Sequence, residues 1–280
     1  MLRELRLLLI ISCLAVVFQA KAQFDDPKTI EVGPHVGASY YMGDLNPMIP
    51  FAQSRLQYGA VVRYNYDSRW SFRFDYSHAT VKADDEVTNW RPERGLNFMT
   101  KINDFSLVTE FNFIEYYTGN PKRNVSFYIF GGISAFQYTP YAIVGGNNVN
   151  LRDYATEPDN PDAKWYEKLS AKSMPVGFSI PFGIGVKLSL SKHMAATLEW
   201  RMQKTFTDYL DDVATVYPEQ HAIYSDGNGN IYDLSDPTGN YLAGQQRGNA
   251  SFNDWFGMAR VSLTWKFNLP DGRGCNLSKF

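Results

Sequence analysis

The stretch VGFSIPFGIGVKLSL, residues 176–190, is apolar at every second position. Its apolar set runs from Val176 through Phe182 and Ile184 to Leu190, and the alternate positions carry glycine, serine, proline and lysine. Because successive side chains of a strand point to opposite faces, this period of two predicts a β-strand with one apolar face. In a soluble barrel the apolar face points inward, whereas in an outer-membrane barrel it points outward into lipid. The fold therefore depends on which face meets water.

The same alternation recurs along the chain and predicts seven further strands. In each stretch, large apolar side chains alternate with polar or charged side chains, except that 125–139 is apolar on both faces. Because proline removes a hydrogen bond from a strand ladder, we expect a bulge at Pro181. The predicted strands cover residues 29–41, 56–66, 70–82, 103–113, 125–139, 176–190, 195–203 and 254–267.

The connections between these strands alternate in length. Three are short, at 67–69, 118–124 and 191–193. The other four are long and cover 42–55, 83–99, 140–173 and 209–251. Short turns at one end, long loops at the other and an even strand count are typical of outer-membrane barrels. We therefore predict an all-β fold, an eight-stranded antiparallel up-and-down transmembrane β-barrel with short periplasmic turns and long extracellular loops.

The two faces of the strands favour this prediction over a secreted lipocalin-like barrel. Large aromatic residues cluster at both ends of the apolar face, as in the aromatic girdles at the two interfaces of a bilayer. The other face carries charges among glycine and serine, which suits the narrow lumen of eight strands. An unpaired buried charge is costly, so we expect these charges to pair. The predicted lumen network consists of Arg73, Asp75, Glu110, Glu199, Arg201 and Arg260.

The first residues predict export. Residues 1–22 combine a basic head, an apolar run from Leu7 to Phe18 and an Ala-x-Ala end, which is the pattern of a cleaved signal peptide. Processing as a lipoprotein at Cys13 is the alternative. The remaining chain divides into a barrel domain, 23–267, and a periplasmic tail, 268–280. We expect the protein in the cell outer membrane, in contact with its lipid.

The composition excludes other classes of protein. A formal net charge of −2 excludes a strongly basic nucleic-acid-binding protein, so we expect no nucleic-acid partner. With Cys13 removed alongside the signal, Cys275 stands alone, and no internal disulfide framework is possible.

Three stretches resemble a known family. GASYYMGDLNP (37–47), the segment 51–85 and LEWRMQKTFTDYLDDVATVY (198–217) resemble the PorG-like outer-membrane proteins of the Bacteroidota type IX secretion system. The resemblance extends over roughly 28–267, and its most specific parts are YYMGDLNP and TFTDYLDDV. It implies an eight-stranded, non-enzymatic barrel of the type IX protein secretion and gliding machinery. Its implied partners are a periplasmic ring lipoprotein and the protein that forms the ring with it. No catalytic residue and no cofactor follows from it.

Two other functions stay open at this stage. A lipid-modifying enzyme is one of them, because Ser77 and His78 lie on strand 70–82 and some outer-membrane hydrolases use a Ser-His pair. Adjacent residues point to opposite faces, however, so these two side chains cannot pair directly. A small passive barrel is the other alternative, and the filled lumen of eight strands argues against it.

Two acidic segments are candidates for a cation site. Asp208, Asp211 and Asp212 lie where the seventh strand enters its long loop, with Asp44 near them in the predicted topology. Carboxylate oxygens suit a divalent cation, but aspartate also caps turns, which we expect here. DGNGNIYDLSDP, 226–237, resembles a calcium loop only weakly and is better interpreted as a turn rich in glycine and asparagine.

The two ends of the predicted barrel differ in charge. The short-turn end, with the tail, carries six lysine or arginine residues against two aspartates, whereas 209–251 carries six acidic residues against Arg247. Complementary charge favours association and sets its register. We therefore expect the basic periplasmic rim to contact the ring through Lys122, Arg123 and Arg273.

Overall fold

The computed structural model describes residues 28–157, 176–250 and 252–269. A short helix, α1 (Asp85–Thr88), and two 3₁₀ turns, Pro92–Arg94 and Leu151–Asp153, lie between the strands. The strands in chain order are β1 (Thr29–Met42), β2 (Arg55–Asn65), β3 (Trp70–Asp84), β4 (Asn97–Asn112), β5 (Val125–Val144), β6 (Asn147–Asn150), β7 (Val176–Ser189), β8 (Met194–Thr205), β9 (Ile223–Ser225), β10 (Ile231–Asp233) and β11 (Trp255–Asn268).

Eight of these strands form a closed antiparallel barrel. Neighbours in the chain pair in order, with β7 beside β5, and β11 pairs with both β8 and β1 to close the sheet. Strand β6 extends the outer end of β5, and β9 and β10 form a separate hairpin in the long loop before β11. The predicted fold class is confirmed. No helix in the described part of the chain is long and apolar enough to cross a membrane.

The two faces of the barrel wall have opposite character. Ile184 on β7 is 55% exposed on the outside, while Lys187, three residues later, is 1% exposed and points inward. A soluble barrel would bury the apolar face, so this arrangement places lipid outside and polar groups inside. The outward apolar side chains come from all eight barrel strands and include Val36, Val62, Phe74, Leu107, Ile129, Ile184, Leu198 and Leu263.

Three strands extend further at the outer end than the sequence predicts. Strand β4 begins at Asn97 rather than residue 103, β3 ends at Asp84 and β5 continues to Val144. Their ladders stay paired throughout, with Asp84 opposite Asn97 and Met99 opposite Tyr141. Alternation does not reveal these extensions, because Phe98, Ile102 and Tyr138 are apolar residues that point inward into an apolar cluster.

The predicted bulge at Pro181 is wrong. Gly131 pairs with Phe182 and Ser134 pairs with Ser179, so the register between β5 and β7 is the same on both sides of the proline. Two residue pairs are skipped there, and neither strand carries an extra residue. The missing N–H of proline leaves a gap in the ladder without adding a residue to the strand.

The barrel interior has two layers. The half toward the short turns contains charged and hydroxyl side chains, and the half toward the long loops contains an apolar cluster. This outer cluster joins the strands to residues of the loops that cover that end. Its members are Tyr41, Leu45, Ala79, Val81, Ala83, Leu96, Phe98, Ile102, Phe136, Tyr138, Leu210, Val213, Phe256 and Met258.

Candidate functional site

The lumen charges form one connected ionic network. Arg260 Nη2 lies 2.5 Å from Asp75 Oδ2 and 2.7 Å from Glu199 Oε1. Arg73 Nη1 lies 2.6 Å from Glu199 Oε2 and 2.7 Å from Glu110 Oε1. Arg201 contacts Asp75 at 3.4 Å and Glu199 at 3.4 Å. The structure thus brings together all six residues of the predicted network.

Four further charged residues belong to this network. The Arg63 guanidinium lies 2.8 Å from the Glu31 carboxylate and 2.9 Å from that of Glu110. The Lys187 ammonium lies 2.6 Å from the Glu110 carboxylate. Asp104 lies 3.5 Å from Arg201. The alternation of the strands predicts an inward position for all four side chains, the same face that the predicted members of the network occupy. The network then contains five carboxylates and five cations, so its formal charges balance.

The network is buried and fills the inner half of the lumen. All ten charged side chains are at most 2% exposed. Hydroxyl groups satisfy some of the carboxylates, since Tyr128 donates to Glu199 at 2.7 Å and Thr118 donates to Glu31 at 2.5 Å. Burying charges in this way is tolerated only when opposite charges and hydrogen bonds compensate the lost hydration.

Ser77 points inward, toward a histidine that the sequence analysis did not connect with it. His35 Nε2 lies 3.5 Å from Ser77 Oγ and 3.2 Å from Asp75 Oδ1. A Ser-His-Asp relay needs the serine on one ring nitrogen and the acid on the other. Here both contact the same nitrogen, and all three side chains are buried. His78 points outward, to the face opposite Ser77, where its Nδ1 lies 2.8 Å from Asn103 Oδ1.

The two stretches that carry the family resemblance meet at the outer end of the barrel. The Tyr41 hydroxyl, in YYMGDLNP, lies at hydrogen-bonding distance from Asp211 Oδ2 in TFTDYLDDV, 2.5 Å, and from Asp254 Oδ1, 2.7 Å. Asp254 in turn accepts from the Leu210 N–H at 2.9 Å. These residues hold the described parts of the long loops over the apolar cluster. We call this layer, formed by the described residues of 43–54, 85–96, 145–157 and 206–254, the outer cap.

The three candidate cation ligands do not converge. Burial, with Asp254 and Asp211 nearby, raises the pKa of Asp208 well above its usual range, and neither carboxylate oxygen has a hydrogen-bond partner among the described residues. Burial likewise raises the pKa of Asp211, next to Tyr41. Asp212 points elsewhere and accepts a hydrogen bond from Thr156. Among the described residues, no three histidine, cysteine or acidic side chains are arranged to hold a metal ion. The geometry supports a loop-fixing role for Asp211 and Asp212, which are hydrogen-bonded to Tyr41, to the Val213 N–H and to Thr156.

Two buried arginines organise the outer cap. Arg94 contacts Asp85 at 2.6 and 3.0 Å and donates to the carbonyls of Arg247 at 2.9 Å and Asp44 at 3.1 Å. Arg247 contacts Glu157 at 2.9 Å and donates to the carbonyl of Asp212 at 2.6 Å. Sequence reasoning missed both residues, because loops have no periodicity that separates a buried charge from a solvated one.

The outer loop is therefore less acidic at its surface than its sequence suggests. Asp211, Asp212 and Asp236 are involved in hydrogen bonds inside the outer cap, and the single basic residue, Arg247, is 2% exposed. Asp226 accepts from the N–H groups of Asn228 at 2.9 Å and Asn230 at 2.8 Å, at the tip of the β9–β10 hairpin. Residues 226–237 thus contain a hairpin turn, as the sequence predicts.

Comparison with known proteins gives a family. The model of a family described as "Domain of unknown function (DUF6089)" matches residues 5–157, just over half of the chain. The chain belongs to the DUF6089 family. None of the curated proteins matches it.

The DUF6089 chain is also similar to solved outer-membrane barrels. A major outer membrane protein from Thermus thermophilus is 10% identical, with 86% of this chain and 100% of that chain covered and a TM-score of 0.41. Neisserial surface protein A is 9% identical, with 86% of this chain and 97% of that chain covered and a TM-score of 0.39. OprG from Pseudomonas aeruginosa is 10% identical, with 87% of this chain and 97% of that chain covered and a TM-score of 0.39.

The inner rim of the DUF6089 barrel, which is the end formed by the short turns, carries two of the three candidate docking residues, Lys122 and Arg123. Lys122 is exposed in the connection between β4 and β5, which spans 113–124 rather than the predicted 118–124. That longer connection includes Glu115, whose Oε2 lies 3.4 Å from Arg123 Nε and whose Oε1 lies 3.9 Å from Arg69 Nη2. One acidic group thus offsets part of the predicted positive charge. Arg273 lies outside the described residues.

Proposed function

We propose that this protein is a non-enzymatic outer-membrane anchor that aligns the periplasmic ring of the type IX secretion machinery. The observation that carries the proposal is the filled lumen, where five buried carboxylates meet five buried cations. In a barrel with such an interior, the rims and loops, rather than the lumen, are available to bind other proteins. A membrane anchor binds its partner through such surfaces.

The family resemblance supplies the partner, and the two ends of the barrel suggest where it binds. The most specific stretches of the resemblance are involved in the outer cap, where Tyr41, Asp211 and Asp254 join. A periplasmic ring reaches only the other end, where Lys122 and Lys192 are exposed. Cationic groups there favour an acidic patch on a ring protein, through attraction that salt weakens. Lys122, Arg123 and Arg273 remain the proposed contacts.

The proposal is tested by crosslinking in native outer membranes followed by pull-down of the barrel. Ring lipoproteins should accompany the wild-type chain and should be recovered less as salt increases. Replacing Lys122, Arg123 and Arg273 by glutamate should leave membrane insertion intact and reduce ring recovery. The matched control replaces Arg55, Lys82 and Lys101 by glutamate, because these residues lie toward the outer end of the barrel.

Two outcomes would count against different parts of the proposal. Absence of ring lipoproteins from the wild-type eluate, with the barrel intact, would contradict the anchor function. Normal ring recovery with the inner-rim triple variant, at low and high salt, would contradict only the docking site.

A further inference from the structure

A cavity of about 670 Å³ opens on the outer wall of the barrel, just below the outer cap. Its volume lies within the range of about 300–1,000 Å³ that is usual for binding sites of small molecules and cofactors. Its floor is formed by strand ends and its upper walls by loop residues. The residues that bear on its chemistry are Met42, Met202, Trp255, Trp90, Phe252 and Arg91.

The floor of the cavity continues the lipid-facing surface of the barrel. Met42 at the end of β1 pairs with Trp255 at the start of β11, and Met202 on β8 pairs with Gly257 two residues further along. All three floor side chains share the parity of the outward apolar residues of their strands. An apolar chain of the surrounding membrane can therefore reach the cavity along the wall, without crossing water.

The upper walls carry two large, exposed aromatic side chains among polar loop residues. Trp90 is 50% exposed and Phe252 is 72% exposed, although both line a cavity. Large aromatic side chains that stand in this way above a membrane-facing floor provide a surface on which a chain of methylene groups can be buried.

Positive charge lies at the mouth of the cavity. Arg91 lines it, and its only ion pair among the described residues is with Glu93, at 3.4 Å on the surface. The Lys204 ammonium lies 5.7 Å from the centre of the Trp255 ring. The acidic lining residue, Asp44, directs its Oδ2 to the Asn249 N–H at 2.7 Å. A guanidinium at a cavity that opens on the lipid-facing wall favours a phosphate, which it can bind through two hydrogen bonds.

We propose that this cavity binds an acyl chain of a phosphorylated lipid of the outer leaflet, whose phosphate contacts Arg91. The apolar floor and walls hold the chain, and Arg91 selects an anionic headgroup. Continuity with the lipid-facing wall and the charge at the mouth together distinguish this occupant from a water-soluble ligand. The proposal does not depend on the secretion role.

Native mass spectrometry of the full barrel in mild detergent tests the proposal. Phosphatidylglycerol and phosphatidylcholine of identical chains serve as the anionic and uncharged probes. The wild type should retain one phosphatidylglycerol more tightly than phosphatidylcholine. Arg91→Glu replaces a charge-assisted contact by repulsion and should weaken phosphatidylglycerol retention about tenfold or more. Lys101→Glu is the matched control, because Lys101 also lies near an aromatic ring, 5.5 Å from that of Tyr141, but does not line the cavity.

A second variant tests the apolar walls. Replacing Trp90 and Phe252 by alanine should weaken retention of both lipids to a similar extent, because it removes the surface for the chain and leaves Arg91 in place. A shift in gel mobility on heating checks that each variant is folded. Equal retention of both lipids by the wild type, no retained lipid at all, or equal losses with Arg91→Glu and Lys101→Glu would each overturn the proposal.

Discussion

Replacing Ile184 by arginine is expected to prevent most of the protein from assembling as a barrel. Ile184 lies near the middle of β7 and is 55% exposed on the outer wall. An arginine on the lipid face near the bilayer midplane costs about 2–4 kcal/mol, which is a large part of the stability of a typical domain. Leu263→Arg on β11 should have the same effect on another side of the barrel.

The measurement is the fraction of each variant that shows the shift in gel mobility of a folded barrel before heating. Ile184→Leu is the matched control, because it keeps an apolar side chain of similar size. Ser179→Ala on the inward face removes one hydrogen bond, 2.6 Å to Gln203, and should cost only about 0.5–1.5 kcal/mol. Normal folding of Ile184→Arg would show that the face assignment is wrong.

Removing a single member of the lumen network should destabilise the barrel more than removing an opposite pair. Glu199→Gln leaves Arg73 and Arg260 short of a carboxylate, and Arg260→Met leaves Asp75 and Glu199 short of a cation. Breaking a buried pair from one side costs about 3–5 kcal/mol, because the remaining charge is left uncompensated. The double variant restores the charge balance, and Arg73 still contacts Asp75 at 3.3 Å.

This expectation is checked by a double-mutant cycle of the free energy of unfolding in urea, measured in micelles. The double variant should be less destabilised than either single variant, and therefore less than their sum by more than about 0.5 kcal/mol, as for residues in contact. Ser262→Ala is a useful control, because Ser262 is buried on the same strand as Arg260 and uncharged. Strictly additive effects would contradict coupling between Glu199 and Arg260.

Most of the barrel wall could be predicted from the sequence, because one physical rule governs it. The wall separates lipid from a polar lumen, so each strand alternates, and parity alone places Ile184 outside and Lys187 inside. The same parity assigned Arg73, Asp75, Glu110, Glu199, Arg201 and Arg260 to the lumen, where they meet. Parity also places Glu31, Arg63, Asp104 and Lys187 on the inward face, although the predicted network does not include them.

The outer cap could not be predicted in this way. Inward side chains become apolar there, as at Phe98 and Tyr138, so alternation fades while the strands continue. The loops have no period, and nothing local in the sequence indicates that Arg94 and Arg247 are buried. Their partners lie far along the chain, since Arg94 donates to the carbonyl of Arg247 at 2.9 Å. Only the folded arrangement of the loops brings such groups together.

The charge of the inner rim could be predicted only in part from the sequence. A count of charges in the short turns suggests a strongly basic surface, but the count depends on where the strands end. Because β4 ends at Asn112, Glu115 joins the rim and pairs with Arg123 at 3.4 Å. The docking proposal consequently relies most on Lys122, which is exposed.

The central claim, that the apolar face of the strands meets lipid and the charged face lines a filled lumen, is tested most directly by an accessibility scan along β7. Single cysteines at positions 178–187, each carrying a nitroxide label, are compared in vesicles for collision with oxygen, which dissolves in lipid, and with a water-soluble nickel chelate. Labels at 178, 180, 182, 184 and 186 should collide with oxygen and exclude the chelate. Labels at 179 and 187 should be shielded from both, and labels at 183 and 185 should prevent folding, because a Cβ there already meets Trp200 or Tyr128. Collision of the chelate with the even-numbered positions would contradict the account.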